Sequence, residues 1–421
     1  MTSVDGSSDI ALNPLAEPTK QVKSGFILAL SIANLAIWAA FFTPLQNLLP
    51  RMTEIISGSS GKETSLAIVA GVGAFVAIVA NPLAGALSDR TTSRFGRRRP
   101  WVLGGAVIGA GAIAALSSQT TVVGLALVWV VAQAAINSAF AGLTAAIPDQ
   151  VPVRARGAVS GWVGLAQSLG LVVGIGLVTI VITDLTTGTY ATAVLYLVLV
   201  LPFVFLLKDA RLLKDRRPDF DLGQFLKGFW VSPKQNPDFA WAWGARFFVS
   251  LGNATAVIYL LYLLQDELKY PDPAQGQLIL VVVYTLGIVA TAVVFGKLSD
   301  RSGKRKIFVI IATIIMAIAA LILAVAPNFG VAVLAAAILG LGYGAYLAVD
   351  AALITQVLPS AEDRARDLGV INIANSAPQV IAPVIAAPIV TSLGGYPVLY
   401  IVTAVITLIG AVLVRPIKSV R

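Results

Sequence analysis

The sequence contains no cysteine and no histidine, and charged residues make up only 12% of its 421 positions. Without cysteine there are no disulfides, no thiol nucleophile and no cysteine-based metal site. Without histidine the one side chain whose unperturbed pKa falls between pH 5 and 8 is missing, so any proton coupling has to use a carboxylate moved into that range. Polar stretches are scarce as well. Hydrophobic residues are 57% of the chain and the mean hydropathy is +0.86, which excludes a soluble core as their main use.

What is present are apolar runs about as long as the 17–25 residues that a helix needs to cross a bilayer. Twelve such spans are expected: 25–49, 64–88, 101–117, 121–148, 158–183, 190–207, 240–265, 276–298, 307–326, 330–358, 368–392 and 396–415. The expected class is therefore an all-α integral membrane protein. Residues 1–23 are polar, carry Pro14 and Pro18, and lack a signal-peptide pattern, so they read as a cytoplasmic tail. Residues 24–207 and 240–415 form two six-helix bundles, 208–239 a cytoplasmic linker, and 416–421 a second tail. In the linker Leu222, Phe225, Leu226, Phe229 and Trp230 recur at helical spacing, which predicts an amphipathic helix lying on the membrane face.

Net charge is +9, and its distribution points to topology rather than to nucleic acid. With both termini inside, the cytoplasmic segments hold 26 of the 30 lysines and arginines; Arg51, Lys62 and Lys269 fall outside and Arg246 within a span. That asymmetry fixes the orientation, and a plasma-membrane protein with both termini cytoplasmic is expected.

The chain also repeats itself. GALSDR at 85–90 returns as GKLSDR at 296–301, AFAGLTAAIPDQV at 139–151 as AYLAVDAALITQV at 345–357, and RAR at 154–156 at 364–366. The offset is about half the chain, so two like-oriented six-helix halves related by an axis along the membrane normal are expected.

GKLSDRSGKRK at 296–306 matches the loop motif of the major facilitator superfamily, through Gly296, Asp300, Arg301, Gly303 and Arg305. The first copy, SDRTTSRFGRRRPW at 88–101, is expanded by four residues. That form resembles the branch of sucrose–proton symporters and glycoside–pentoside–hexuronide cation symporters. Leu368, Gly369, Asn372, Pro378 and Gln379 also resemble the sucrose-symporter pattern. The resemblance implies a twelve-helix transporter working by alternating access on a sugar or glycoside, with helices 1, 4, 7 and 10 lining a central cavity. It implies a conformational switch at Gly85, Asp89, Arg90, Gly96, Arg98 and Arg99, forming when the inside is closed and breaking when it opens, with Asp149 and Arg156 as a supporting ion pair. Independently of the family, Gly85 lies one turn before Asp89 and would let a neighbouring helix approach closely. In the sodium-coupled members of that branch, acids on helix 2 hold the ion. AIVANPLAG puts Ala77 and Asn81 there instead, so proton coupling or facilitated diffusion is expected rather than sodium coupling.

Polar residues inside spans are costly and therefore informative. Among 21 acids, Asp350 alone lies deep, roughly 12 Å from the end of its helix at 1.5 Å per residue. It shares a face with Tyr343 and Tyr346. Arg246 and Asn253 share one on helix 7, and Asn372, Asn375 and Gln379 one on helix 11. The first half offers Asn34 with Trp38, Gln133 with Asn137, and Gln167. These residues are expected to line the cavity, where amides and flat aromatics suit a hydroxyl-rich solute. Asp350 and Arg246 are expected to pair, burial and the cation acting on the carboxyl in opposite senses, so that a proton would break the pair and couple to opening.

A drug or metabolite exporter of the same fold is the alternative, though helix 5 (GWVGLAQSLGLVVGIG) lacks the proline of the GPxxGG-like antiporter motif. A non-transporting receptor or an enzyme has less support, since no signalling domain or nucleophile motif is present. SGSSGKETS at 57–65 imitates a phosphate loop, but Ile56 occupies the position of the first glycine. No cofactor and no metal is expected; the partners are a small solute, protons and lipid, with a monomer as the working unit.

Overall fold

The computed structural model describes residues 18, 22–209, 211–213, 223, 231–302, 304–357 and 364–419. Its described residues form twelve helices long and apolar enough to cross a membrane. They are α1 (Ser24–Ser57), α2 (Lys62–Ser88), α3 (Arg99–Leu116), α4 (Val122–Gln150), α5 (Val153–Gly176), α6 (Leu185–Leu206), α7 (Pro237–Glu267), α8 (Pro273–Ser302), α9 (Arg305–Ala324), α10 (Phe329–Val357), α11 (Arg364–Ser392) and α12 (Gly395–Val414). The linker residues expected to form an amphipathic helix lie outside the described residues apart from Gly223.

The first six helices pack largely on one another, α4 against α2 and α3, and α1 against α5 and α6; the last six repeat the scheme, α10 against α8 and α9, and α7 against α11 and α12. The two sets meet chiefly where α11 lies on α2, and also where α5 meets α8. Glycines set how closely helices approach within each set. A Cβ on Gly340 of α10 would stand 2.1 Å from the Tyr284 carbonyl oxygen of α8, and one on Gly344 2.4 Å from that of Ile288. Only glycine lets these backbones touch.

Helix α1 runs further than the expected end at 49 and reaches Ser57. Pro50 sits inside it and has no N–H to give the carbonyl four residues back. That carbonyl, on Gln46, instead accepts the Gln277 side-chain amide of α8 at 2.7 Å. The turn before Pro50 widens, with the Leu49 N–H bonding to the Pro44 carbonyl. Similar i→i+5 bonds widen the ends of α5 (Ile182 to Leu177, 2.9 Å) and α7 (Leu268 to Leu263, 3.0 Å). All three lie at one end of the bundle, opposite the arginine-rich loop 89–98.

A set of polar contacts between the two halves gathers at that end. Lys62 of α2 pairs with Asp266 of α7 at 2.7 Å, and Gln265 donates to Glu54 at 2.6 Å. The Tyr262 hydroxyl lies 3.0 Å from both the Pro50 carbonyl and the Thr53 hydroxyl. Leu171 and Ile175 of α5 pack with Leu278 and Val281 of α8 below them, with Phe42 of α1 against the group. At the arginine end, by contrast, no other described residue comes within 4 Å of a Cβ built on Gly85 of α2 or on Gly161 and Gly164 of α5.

Candidate functional site

The one deep acid and the one intramembrane arginine come together. Arg246 Nη1 on α7 lies 3.0 Å from Asp350 Oδ2 on α10, and Arg246 Nε donates to Asn375 Oδ1 on α11 at 2.7 Å. Three helices of the second half thus converge on a single guanidinium. Asp350 is only 4% exposed; a carboxylate so placed would be expensive to ionise without a partner. Beside this pair, on α10, the rings of Tyr343 and Tyr346 run nearly parallel with centroids 6.1 Å apart. Tyr284 of α8 continues the row, 6.2 Å from Tyr343, and donates its hydroxyl to Asn253 Oδ1 at 3.0 Å. The Tyr346 hydroxyl is buried beside the Asp350 carboxyl. Tyr284 was not among the expected site residues, because one tyrosine in VVVYTLG shows no polar periodicity.

The first half departs from expectation. Asn34 is 2% exposed and donates to the Leu30 carbonyl of its own helix at 2.9 Å. Gln133 is 1% exposed; its chain packs opposite Gly73 of α2, and its side-chain oxygen accepts from Asn137 at 3.0 Å. Neither presents a polar face to a crevice, since each amide is held by its own helix and by close packing. Asn253 and Tyr346 are likewise buried in this conformation. Surface remains on Trp38, Asn137, Gln167, Tyr343, Asn375 and Gln379. The side chain of Asn372 lies outside the described residues.

What the first half does present is aromatic. Trp38 stacks on Phe42 with centroids 5.4 Å apart and meets Phe140 of α4 edge-on at 5.3 Å. Phe41 adds a further edge at 5.8 Å. This cluster extends to the Leu278–Val281 contact with the second half.

The arginine loop is a dense polar knot. Asp149 at the end of α4 receives Arg97 Nη2 at 2.7 Å and Arg98 Nε at 2.9 Å. Arg98 also bonds Asp89 and Ser88 at the end of α2. Asp209, just after α6, accepts the backbone N–H groups of Arg98 and Arg99 at 2.6 Å each, and the Arg99 side chain reaches the Leu207 carbonyl. Burial pushes the Asp209 carboxyl above its ordinary pKa, while these N–H donors pull it down. Gly96 is required here: its φ is +98°, and a Cβ would stand 2.2 Å from Asp209 Cγ. Asp209 carried no recognisable signal in the sequence.

At this loop three contacts differ in this conformation from those expected. Arg156 does not pair with Asp149; its guanidinium caps α4, donating to the carbonyls of Val151 at 3.0 Å and Pro148 at 3.1 Å. Asp149 is already taken by the nearer Arg97 and Arg98. Gly85 has no close neighbour among the described residues in this conformation. The Asp89–Arg98–Asp149 bonds tie α2, α3 and α4 of one half together and do not bridge the halves. They stand formed while the contacts between halves are made at the other end. Arg90 is nearly buried. In the second copy Arg301 is exposed and Arg305 partly so; Gly303, the surroundings of Gly296 and the side chain of Asp300 lie outside what the structure describes.

The family model described as Major Facilitator Superfamily matches residues 30–281 and 242–420, so the chain belongs to the major facilitator superfamily. It is a multi-pass membrane protein and a transporter of the secondary kind. An uncharacterised MFS-type transporter, YfiU of Bacillus subtilis (strain 168), is 27% identical over 122 residues, 29% of this chain and 23% of that protein. Among solved structures, the nucleoside transporter NupG superposes with a TM-score of 0.73 at 14% identity, over 93% of this chain and 99% of NupG. A POT family transporter in complex with 5-aminolevulinic acid gives 0.70 at 12% identity, over 92% and 95% of the two chains. The human organic anion transporter MFSD10 gives 0.67 at 15%, over 93% and 99%. Such low identities establish a shared fold and leave the solute open.

Proposed function

We propose that this protein imports a small hydroxylated solute, a sugar or glycoside, together with protons, by rocking its two halves about a crevice between them. The arginine loop lies on the cytoplasmic side of the plasma membrane, as the positive-inside rule requires. On that orientation the polar contacts between the halves around Lys62 lie on the outer side, which fits a state closed to the outside, with one chain as the working unit.

The observation that carries this reading is the Arg246–Asp350 pair at 3.0 Å, reinforced by Asn375. A buried ion pair is weak as a source of stability, because desolvation offsets the attraction, so its presence within a span calls for a functional reason. Protonation of Asp350 removes the negative partner, leaves Arg246 held by the Asn375 amide alone, and frees the guanidinium to meet a solute oxygen. Proton and solute then act on the same three helices.

The test is uptake of radiolabelled mono- and disaccharides into proteoliposomes under an imposed pH gradient. Acid-driven accumulation is expected for wild type. D350N is expected to lose accumulation while keeping solute exchange; normal acid-driven accumulation in D350N would refute the coupling role.

A second reading, export of an apolar drug or metabolite, is favoured by one feature, the partly exposed Trp38–Phe41–Phe42–Phe140 cluster. Efflux of an apolar dye that no sugar inhibits would support it over import.

A further inference from the structure

We propose that Lys62 is the moving part of an ionic latch, held by an acid of each half in turn, which sets how readily the closed end of the transporter opens. This rests on the alternating-access reading.

Lys62 begins α2 and is 1% exposed. A lysine at a helix N-terminus opposes the helix dipole, and a buried ammonium is costly unless paired. Its place is explained by its surroundings. Its Nζ lies 2.7 Å from Asp266 of the opposite half, 3.5 Å from Glu54 of its own half, and 4.6 Å from the centre of the Tyr262 ring. Glu63 follows it and is also buried, with its carbonyl 3.4 Å from the Tyr259 hydroxyl. One cation therefore stands among three carboxylates drawn from both halves.

The second partners make the latch reversible. When the halves separate, Lys62 loses Asp266 but keeps Glu54, which travels with it. Asp266 loses Lys62 but keeps the Tyr396 hydroxyl, 2.7 Å away on its own half. Neither charge is stranded, so the cost of opening stays moderate. Without the lysine, Glu54 and Glu63 would face Asp266 across the seam, and like charges would drive the halves apart. The lysine of the phosphate-loop imitation in the sequence thus supplies the cation of this latch.

The absence of native cysteine allows a direct test. Spin labels are placed on cysteines at Ser60 and Gln275, exposed positions on either side of the seam, and at Phe95 and Ser302 at the arginine end. Distances are measured in the full-length protein in lipid nanodiscs. K62Q is expected to raise the ratio of long to short Ser60–Gln275 distances about tenfold, the factor that 1.4 kcal/mol represents. D266N is expected to move it in the same direction, while K62R leaves it within about twofold of wild type. If wild type samples both distances and neither K62Q nor D266N moves their ratio, the latch is refuted. If no condition or variant ever yields a second distance at either end, the rocking reading itself fails.

Discussion

Asp350 and Arg246 show how far single residues could be read in advance. An acid and an arginine deep in apolar spans announce themselves, because hydrocarbon tolerates few of either, and the structure sets them 3.0 Å apart. Amides are less legible. Asn34 and Gln133 resemble Asn375 in sequence, yet their bonds are local, and only packing distinguishes them. Asp209 was not legible at all: its partners are backbone N–H groups more than a hundred residues away. G96A tests that contact. The left-handed φ and the clash with Asp209 should together cost more than about 1 kcal/mol, seen as a lower thermal midpoint in detergent. D209A should lower it too, by removing the acceptor. An unchanged midpoint in both variants would contradict the assigned role.

Helices were legible where apolar length decides, and twelve spans were expected and are present. Their ends were less so. Helix α1 continues through Pro50 because α8 supplies the hydrogen bond that proline leaves unmade, a tertiary effect that no local rule contains. Glycines behave similarly, since the sequence pointed to Gly85 for a close approach and not to Gly340. Gly340 presses on the α8 backbone, and Gly85 has no close neighbour among the described residues. G340A should therefore destabilise the protein by about 2 kcal/mol through overpacking. G85L should leave the thermal midpoint unchanged yet cut uptake at least tenfold, because the space it fills must close in the opposite state. A G85L variant that transports normally would show that no helix needs to approach there.

The whole molecule is a repeated six-helix unit, and internal repetition in the sequence was the feature that revealed it. Which end would be shut was not legible, because that depends on contacts between halves distant in the chain, such as Lys62 with Asp266 and Gln265 with Glu54. The account stands on those ends opening in alternation. The most direct measurement follows both label pairs, Ser60–Gln275 and Phe95–Ser302, in the same preparation while the pH is lowered and a transported solute is added. The account predicts opposed changes, one pair lengthening as the other shortens. Two pairs that lengthen and shorten together, or that never move, would contradict it.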